Sequence, residues 1–225
     1  MKIFVNFKTY PQGTGEKAAA LAKICQEVSE EKKVVIIPVV QAVDLYRVTR
    51  SVNIPVWIQH LDWHPQGQYT GFVNLEAVME AGASGALLNH SEHQIPPGTV
   101  KQVISRSSKF PPNRRVQSSK FEVMVCCKTL GQMKRLVKLK PDFIAYEIAE
   151  LIGTKNSITQ VAPKAIKHAV EICNQIPLIV GAGIHTKKDL ETAQKLGAKG
   201  VLISSAVVLA QNPKKKLLEL IANCK

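Results

Sequence analysis

Phe143-Ile-Ala-Tyr-Glu-Ile-Ala-Glu-Leu-Ile-Gly-Thr154 joins an unbroken apolar run to a loop holding two acids and a glycine. An apolar run without alternation fits a strand covered on both faces, as in a parallel sheet with helices packed over it. The run ends by releasing Glu147 into the loop, where Glu150 and Gly153 follow. A carboxylate at the carboxyl end of a buried parallel strand is where α/β proteins place general bases. A solvated glutamate at a loop start is the plain alternative, and the rest of the chain has to decide between them.

Working outward, the pattern repeats. Strands are predicted at 2–6, 33–39, 55–59, within 82–90 (a turn feeding the fourth strand), 122–126, 142–147, 177–180 and 201–203. Helical periodicity falls between them at 14–28, 42–49, 75–81, 99–105, 130–139, 162–173 and 187–196, with two closing helices at 204–210 and 214–223. Pro96-Pro97-Gly98 breaks any helix begun at Ser91, so that helix is expected to resume at Thr99. The segment 95–120, with the basic loop Phe110-Pro-Pro-Asn-Arg-Arg115, is the least legible. Eight strand–helix units, spaced roughly thirty residues apart, are what a closed (β/α)8 barrel requires. A doubly wound open sheet competes, but eight regular units with no Gly-x-Gly-x-x-Gly after the first strand favour the barrel, as one α/β domain over 1–225.

Composition narrows the function. The 225 residues are 45% hydrophobic and 21% charged, enough for a sizeable core. The longest apolar stretches, 34–40 and 201–210, are too short to span a bilayer. Met1 leads straight into a strand without a signal-peptide layout, so the default location is cytoplasmic. Five scattered cysteines form no disulfide or metal framework, and the adjacent Cys126 and Cys127 should point to opposite faces of a strand. The net charge of +13 could attract nucleic acid or steer small anions. Its lysines are dispersed and only 5% of residues are aromatic, which disfavours nucleic acid. His60, Asp62 and His64 alternate on one polar loop, as metal ligands or as ordinary loop residues. The expectation is no metal.

A barrel carries its chemistry on the loops after each strand. These loops offer Asn6 and Lys8, then Asn89, His90, Ser91 and Glu92, then Glu147, then Gly181-Ala-Gly-Ile, then Ser204 and Ser205. The last two are small-residue loops where backbone N–H groups can approach an anion, or simply tight turns. Lys8, His90 and Glu147 supply a cation, an imidazole and a carboxylate around one opening. A carboxylate can lift a proton from carbon beside a carbonyl while a lysine and an imidazole hold the enediolate charge.

Asn6-Phe-Lys8, Gln59-His-Leu-Asp62, Tyr69-Thr-Gly71, Asn89-His-Ser-Glu92, Tyr146-Glu147 with Leu151-Ile-Gly-Thr154, Gly181-Ala-Gly-Ile184 and Gly200-Val-Leu-Ile-Ser-Ser205 together resemble the triosephosphate isomerases. The short chain, Asn89, Glu150 and Gly-Ala-Gly are similar to the archaeal branch. The matches run in order over nearly the whole chain, except about 95–120. The resemblance implies a TIM barrel interconverting dihydroxyacetone phosphate and glyceraldehyde 3-phosphate without cofactor or metal. It implies Glu147 as base, His90 as neutral electrophile and Lys8 as electrostatic partner, with Asn6 holding substrate or Lys8 and Glu92 orienting Lys8 or the loop. Backbone N–H groups of Gly153, Gly183, Ser204 and Ser205 would hold the phosphate, and the loop from Ile148 would be a lid. Thr70 would reach a neighbour's site in a homo-oligomer, a tetramer or a dimer, with no nucleic-acid or membrane partner.

Four positions depart from the family pattern. Ile148 stands where proline usually follows the base, and Lys155 where a second hinge glycine is usual. His93-Gln94 replace an arginine, and Phe72 replaces a polar or charged residue. The first two bear on the lid, the last two on the subunit interface. Another phosphosugar barrel enzyme, or a non-catalytic phosphate- or nucleic-acid-binding scaffold with a decayed lid, stays open at this point.

Overall fold

Eight parallel strands close on themselves in sequence order: β1 (Lys2–Asn6), β2 (Val35–Val40), β3 (Trp57–Ile58), β4 (Gly85–Leu88), β5 (Glu122–Cys127), β6 (Phe143–Tyr146), β7 (Leu178–Val180) and β8 (Gly200–Ile203). The computed structural model describes residues 1–109, 120–154 and 156–222. The basic loop at 110–115, Lys155 and the end of the last predicted helix at 223 lie outside them. The helices are α1 (Glu16–Lys32), α2 (Ala42–Ser51), α3 (Leu75–Glu80), α4 (Pro97–Ser107), α5 (Leu130–Leu136), α6 (Ile158–Val161), α7 (Pro163–Cys173), α8 (Lys187–Lys195), α9 (Ser205–Val208) and α10 (Pro213–Ile221).

Side-chain alternation along each strand makes two apolar layers. Phe4, Ile37, Trp57, Met124, Phe143 and Leu202 pack inside the barrel, while Ile3, Val5, Ile36, Ile58, Val125 and Ile144 face the helices. Phe4 meets Trp57 and Phe143 edge-on, with ring centroids 4.9 and 5.8 Å apart. The expected opposition of the paired cysteines is present: Cys126 sits in the inner layer and Cys127 in the outer. Cys25 and Cys173 are buried on their helices. No helix among the described residues is long and apolar enough to cross a membrane.

The differences from the sequence reading have local causes. Helix α1 runs on to Lys32 because Ser29-Glu-Glu-Lys32 contains no breaker, and it stops only when Lys33 turns left-handed at φ 54°. No helix starts at Ser91, and α4 begins at Pro97, two residues before the predicted start. Proline needs no N–H in the first turn, so Pro97 starts the helix rather than interrupting it. The third strand is two residues long rather than five. The short α6, capped by Ser157, was not foreseen. Ser204 precedes α9 rather than opening it.

Candidate active site

The barrel places its working loops through pairing that runs one residue past the strands. The Glu147 N–H donates to the Cys127 carbonyl at 3.0 Å, and the Gly181 N–H donates to the Tyr146 carbonyl at 3.0 Å. Glu147 and Gly181 therefore stand side by side at the rim. A Cβ on Gly181 would lie 2.5 Å from Glu147 Oε1 and 2.6 Å from its Cγ. The missing side chain is the space the carboxylate occupies.

Glu147 is 5% exposed, and its Oε2 has no hydrogen-bond partner among the described residues. His90 Nε2 stands 3.3 Å from that oxygen, in ion-pair range but without hydrogen-bond alignment. The other ring nitrogen is occupied: His90 Nδ1 accepts the Glu92 backbone N–H at 3.2 Å. That contact requires Nδ1 to be the acceptor, so the tautomer that fits carries its proton on Nε2, towards Glu147. Burial pushes the His90 pKa down. The Glu147 carboxylate, with Glu92 adding to it and Lys8 opposing, outweighs burial and leaves the pKa raised in this arrangement. Withdrawing Glu147 would leave burial to favour the neutral ring.

Asn89 supports His90 from behind. It takes a left-handed φ of 59°, donates to the Cys126 carbonyl at 2.9 Å and accepts the Ile95 N–H at 3.0 Å. Asparagine tolerates this backbone better than most residues, which ties the residue choice to the turn.

Lys8 is held in the same manner. Its φ is 48°, sparsely allowed for a non-glycine residue. Asn6 Oδ1 accepts its N–H at 3.0 Å, and Gln59 Nε2 donates to its carbonyl at 3.0 Å. Its ammonium meets Glu92 Oε1 at 2.5 Å. Asn6 thus grips Lys8 through the backbone, and Glu92 engages both Lys8 and His90.

Asn6, Lys8, His90 and Glu147 open onto one cleft with Gly153, Gly183, Ser204 and Ser205. Ser204 Oγ is buried without a partner among the described residues, like Glu147 Oε2. Native folds seldom leave such atoms unsatisfied, and both lie where a ligand could satisfy them. Glu92 stands beside the cleft, reaching it through Lys8 and His90. Thr70 is elsewhere, on the exposed loop after β3, and takes no part in this cleft.

Two features had no signal in the sequence. The Cys126 thiol is pushed well above its usual pKa by burial first and then by the Glu147 charge, so it stays protonated against the carboxylate. His185 reaches the Glu147 loop, its ring Nε2 lying 2.7 Å from the Thr154 carbonyl. Both depend on side chains that meet only after the barrel closes. The histidines of the polar loop have other company: His60 Nε2 contacts Asp62 at 3.2 Å, and the His64 ring lies 4.5 Å from Tyr69 and 4.1 Å from Phe72. His93 places its ring 4.5 Å from that of His60.

A family model described as triosephosphate isomerase matches residues 1–224. A triosephosphate isomerase of Methanothermus fervidus is 40% identical over 223 residues, covering 97% of this chain and 96% of its own. That of Methanobacterium bryantii is 38% identical over 224 residues, covering 98% and 95%. That of Methanocaldococcus jannaschii is 36% identical over 225 residues, covering 98% and 99%.

Proposed function

The chain belongs to the triosephosphate isomerase family and interconverts dihydroxyacetone phosphate and glyceraldehyde 3-phosphate, and we propose that Glu147, His90 and Lys8 carry the reaction. Glu147 takes the proton from the carbon beside the substrate carbonyl and returns it to the neighbouring carbon. The His90 Nε2–H and the Lys8 ammonium hold the oxygen charge of the enediolate between those steps. A neutral imidazole beside a glutamate base is a known arrangement in this family. It is supported here by the Glu92 N–H directed at His90 Nδ1. Asn6 and Glu92 keep Lys8 in place. Backbone N–H groups at Gly153, Gly183, Ser204 and Ser205 receive the phosphate. The chemistry is proton transfer alone and calls for neither metal nor cofactor.

The observation that carries the assignment is the buried carboxylate oxygen of Glu147, left without a hydrogen bond and facing an imidazole at 3.3 Å. Asp44 and Glu76 also leave one oxygen unpaired among the described residues, so what sets Glu147 apart is the imidazole it faces and the cleft it opens onto. A coupled assay with glyceraldehyde 3-phosphate on the wild type and Glu147→Gln tests it. Equal turnover in the two proteins would refute the role of Glu147.

The loop from Ile148 serves as the lid that excludes water. The chain acts as one domain in a cytoplasmic homo-oligomer, a tetramer or a dimer, with Thr70 reaching a neighbour's site. Tyr69 and Phe72 flank Thr70 at 39% and 49% exposure, which supports an interface there. Size-exclusion chromatography with light scattering measures the number of copies, and a monomer would overturn the assignment of Thr70.

A further inference from the structure

A second cavity, of about 90 Å³, lies between α5 and the chain that follows His90. It shares no lining residue with the catalytic cleft. Ile95, Pro97 and Leu136 give it apolar walls, and the buried Asn89, next in the chain to His90, lines it as well. Asn89 is already engaged: it donates to the Cys126 carbonyl at 2.9 Å and accepts the Ile95 N–H at 3.0 Å. Two residues of the cavity wall are thus bonded to each other, and that bond braces the turn on which His90 sits.

The remaining polar groups are donors that lack acceptors. Gln132 Oε1 accepts the Lys128 N–H at 2.9 Å, which leaves Gln132 Nε2 without a partner among the described residues. Neither Arg135 nor the Gln94 side chain has a hydrogen-bond or ion-pair partner among the described residues. No acidic side chain lines the cavity. A guanidinium fork beside two amides, with no acid among them, matches a carboxylate. The apolar walls match a short hydrocarbon body behind it. A single buried water needs about 10–15 Å³ of such space, so the cavity has room for roughly six non-hydrogen atoms.

We infer that this cavity binds a short-chain carboxylate, and that its occupant acts on the isomerisation through Asn89 and Ile95. The carboxylate meets Arg135, Gln132 and Gln94, and the hydrocarbon body packs on Ile95, Pro97 and Leu136. An occupant pressing on Ile95 pulls at its bond to Asn89 and displaces the turn that presents His90. Small displacements of a reacting group slow the chemical step more than they weaken substrate binding. The action on His90 rests on the isomerase reading, whereas binding does not and is measured separately.

The test uses butyrate, which has a carboxylate and a three-carbon body, with calorimetry on the whole chain. Wild type should bind it at millimolar concentration, and inorganic phosphate should not displace it. Arg135→Gln should weaken binding about tenfold, the size of effect expected from one lost charge-assisted hydrogen bond, and Gln132→Ala a few-fold. Both side chains reach solvent, so circular dichroism should report an unchanged fold. Saturating butyrate should lower kcat several-fold with KM for glyceraldehyde 3-phosphate unchanged, and Arg135→Gln should need more butyrate for the same loss. Absence of binding, equal affinity in Arg135→Gln, or equal binding of butan-1-ol would overturn the carboxylate site. Displacement by inorganic phosphate would place the probe in the catalytic cleft and overturn it too. Binding that leaves kcat unchanged at saturation would overturn the action on His90, and a wild type without isomerase activity would overturn the isomerase reading itself.

Discussion

Replacing Gly181 with alanine tests whether the base is positioned by the neighbouring strand. The added Cβ would sit 2.5 Å from Glu147 Oε1 and 2.6 Å from Glu147 Cγ. Ordinary contact begins near 3.4 Å, so the carboxylate has to retreat by about 0.9 Å. The backbone itself is tolerant, because Gly181 is not among the residues with positive φ. A misplacement of about 1 Å at a reacting group costs on the order of 100-fold in rate, which is about 2.7 kcal/mol of transition-state stabilisation. The coupled isomerase assay should show that loss in kcat/KM, with the fold retained by circular dichroism. Glu147→Ala removes Cγ and the carboxylate together, so in that background Gly181→Ala should change the residual rate only a few-fold. A Gly181→Ala enzyme with wild-type kcat/KM would refute the reasoning. So would a full 100-fold penalty in the Glu147→Ala background, because the alanine at 181 would then act through something other than the base.

Three further outcomes are expected. Glu92→Gln removes a carboxylate that raises the His90 pKa and frees Lys8 to oppose it, so the imidazole titration followed by NMR should move down. A raised histidine stabilises the fold fully below its unfolded pKa of about 6.5 and loses that contribution as pH climbs through the folded value. The stability gap between wild type and Glu92→Gln should accordingly be wider at pH 6 than at pH 8.5. Asp189→Asn should cost about 2 kcal/mol at neutral pH by chemical denaturation, because a buried carboxylate loses charge-assisted hydrogen bonds. Burial pushes the Asp189 pKa up, but its donors outweigh burial and hold it low. The cost should therefore shrink once pH falls below about 4 towards the folded value. Ile148→Pro should raise stability by about 0.4–1 kcal/mol in thermal unfolding, since Ile148 already holds φ −75°, within the range proline imposes. A lower midpoint would show that the hinge needs the isoleucine.

The backbone of Ile148, where the family usually has proline, adopts a proline-like angle without the ring. The Leu151 N–H donates to the Ile148 carbonyl at 3.0 Å, and the turn Ala149–Leu151 is set by that local bond. The second departure, Lys155, lies outside the described residues. What holds that end of the lid among the described residues is His185 and the packing on Gly183. Neither could be foreseen, because the two loops belong to different βα units.

By itself, the sequence determined the barrel and the residue types at its rim. Eight apolar strand segments separated by amphipathic helices leave few other ways to bury both faces of every strand. Once the strands are placed, Lys8, His90, Glu147 and the small residues at 181–183 and 204–205 must fall at one end. Such features are local in the chain, written in periodicity and in the residue after each strand. Tertiary structure alone decided how those groups are held: the Glu92 N–H that selects the His90 tautomer, the space at Gly181 that seats the carboxylate, and the Asp189 cluster that presents His185. The first closes within one turn and the other two join different loops, and pattern in a sequence carries no information at the scale of such contacts. The physical reason is burial: a carboxylate or imidazole acquires its state from the few atoms packed around it, and closure of the barrel chooses those atoms.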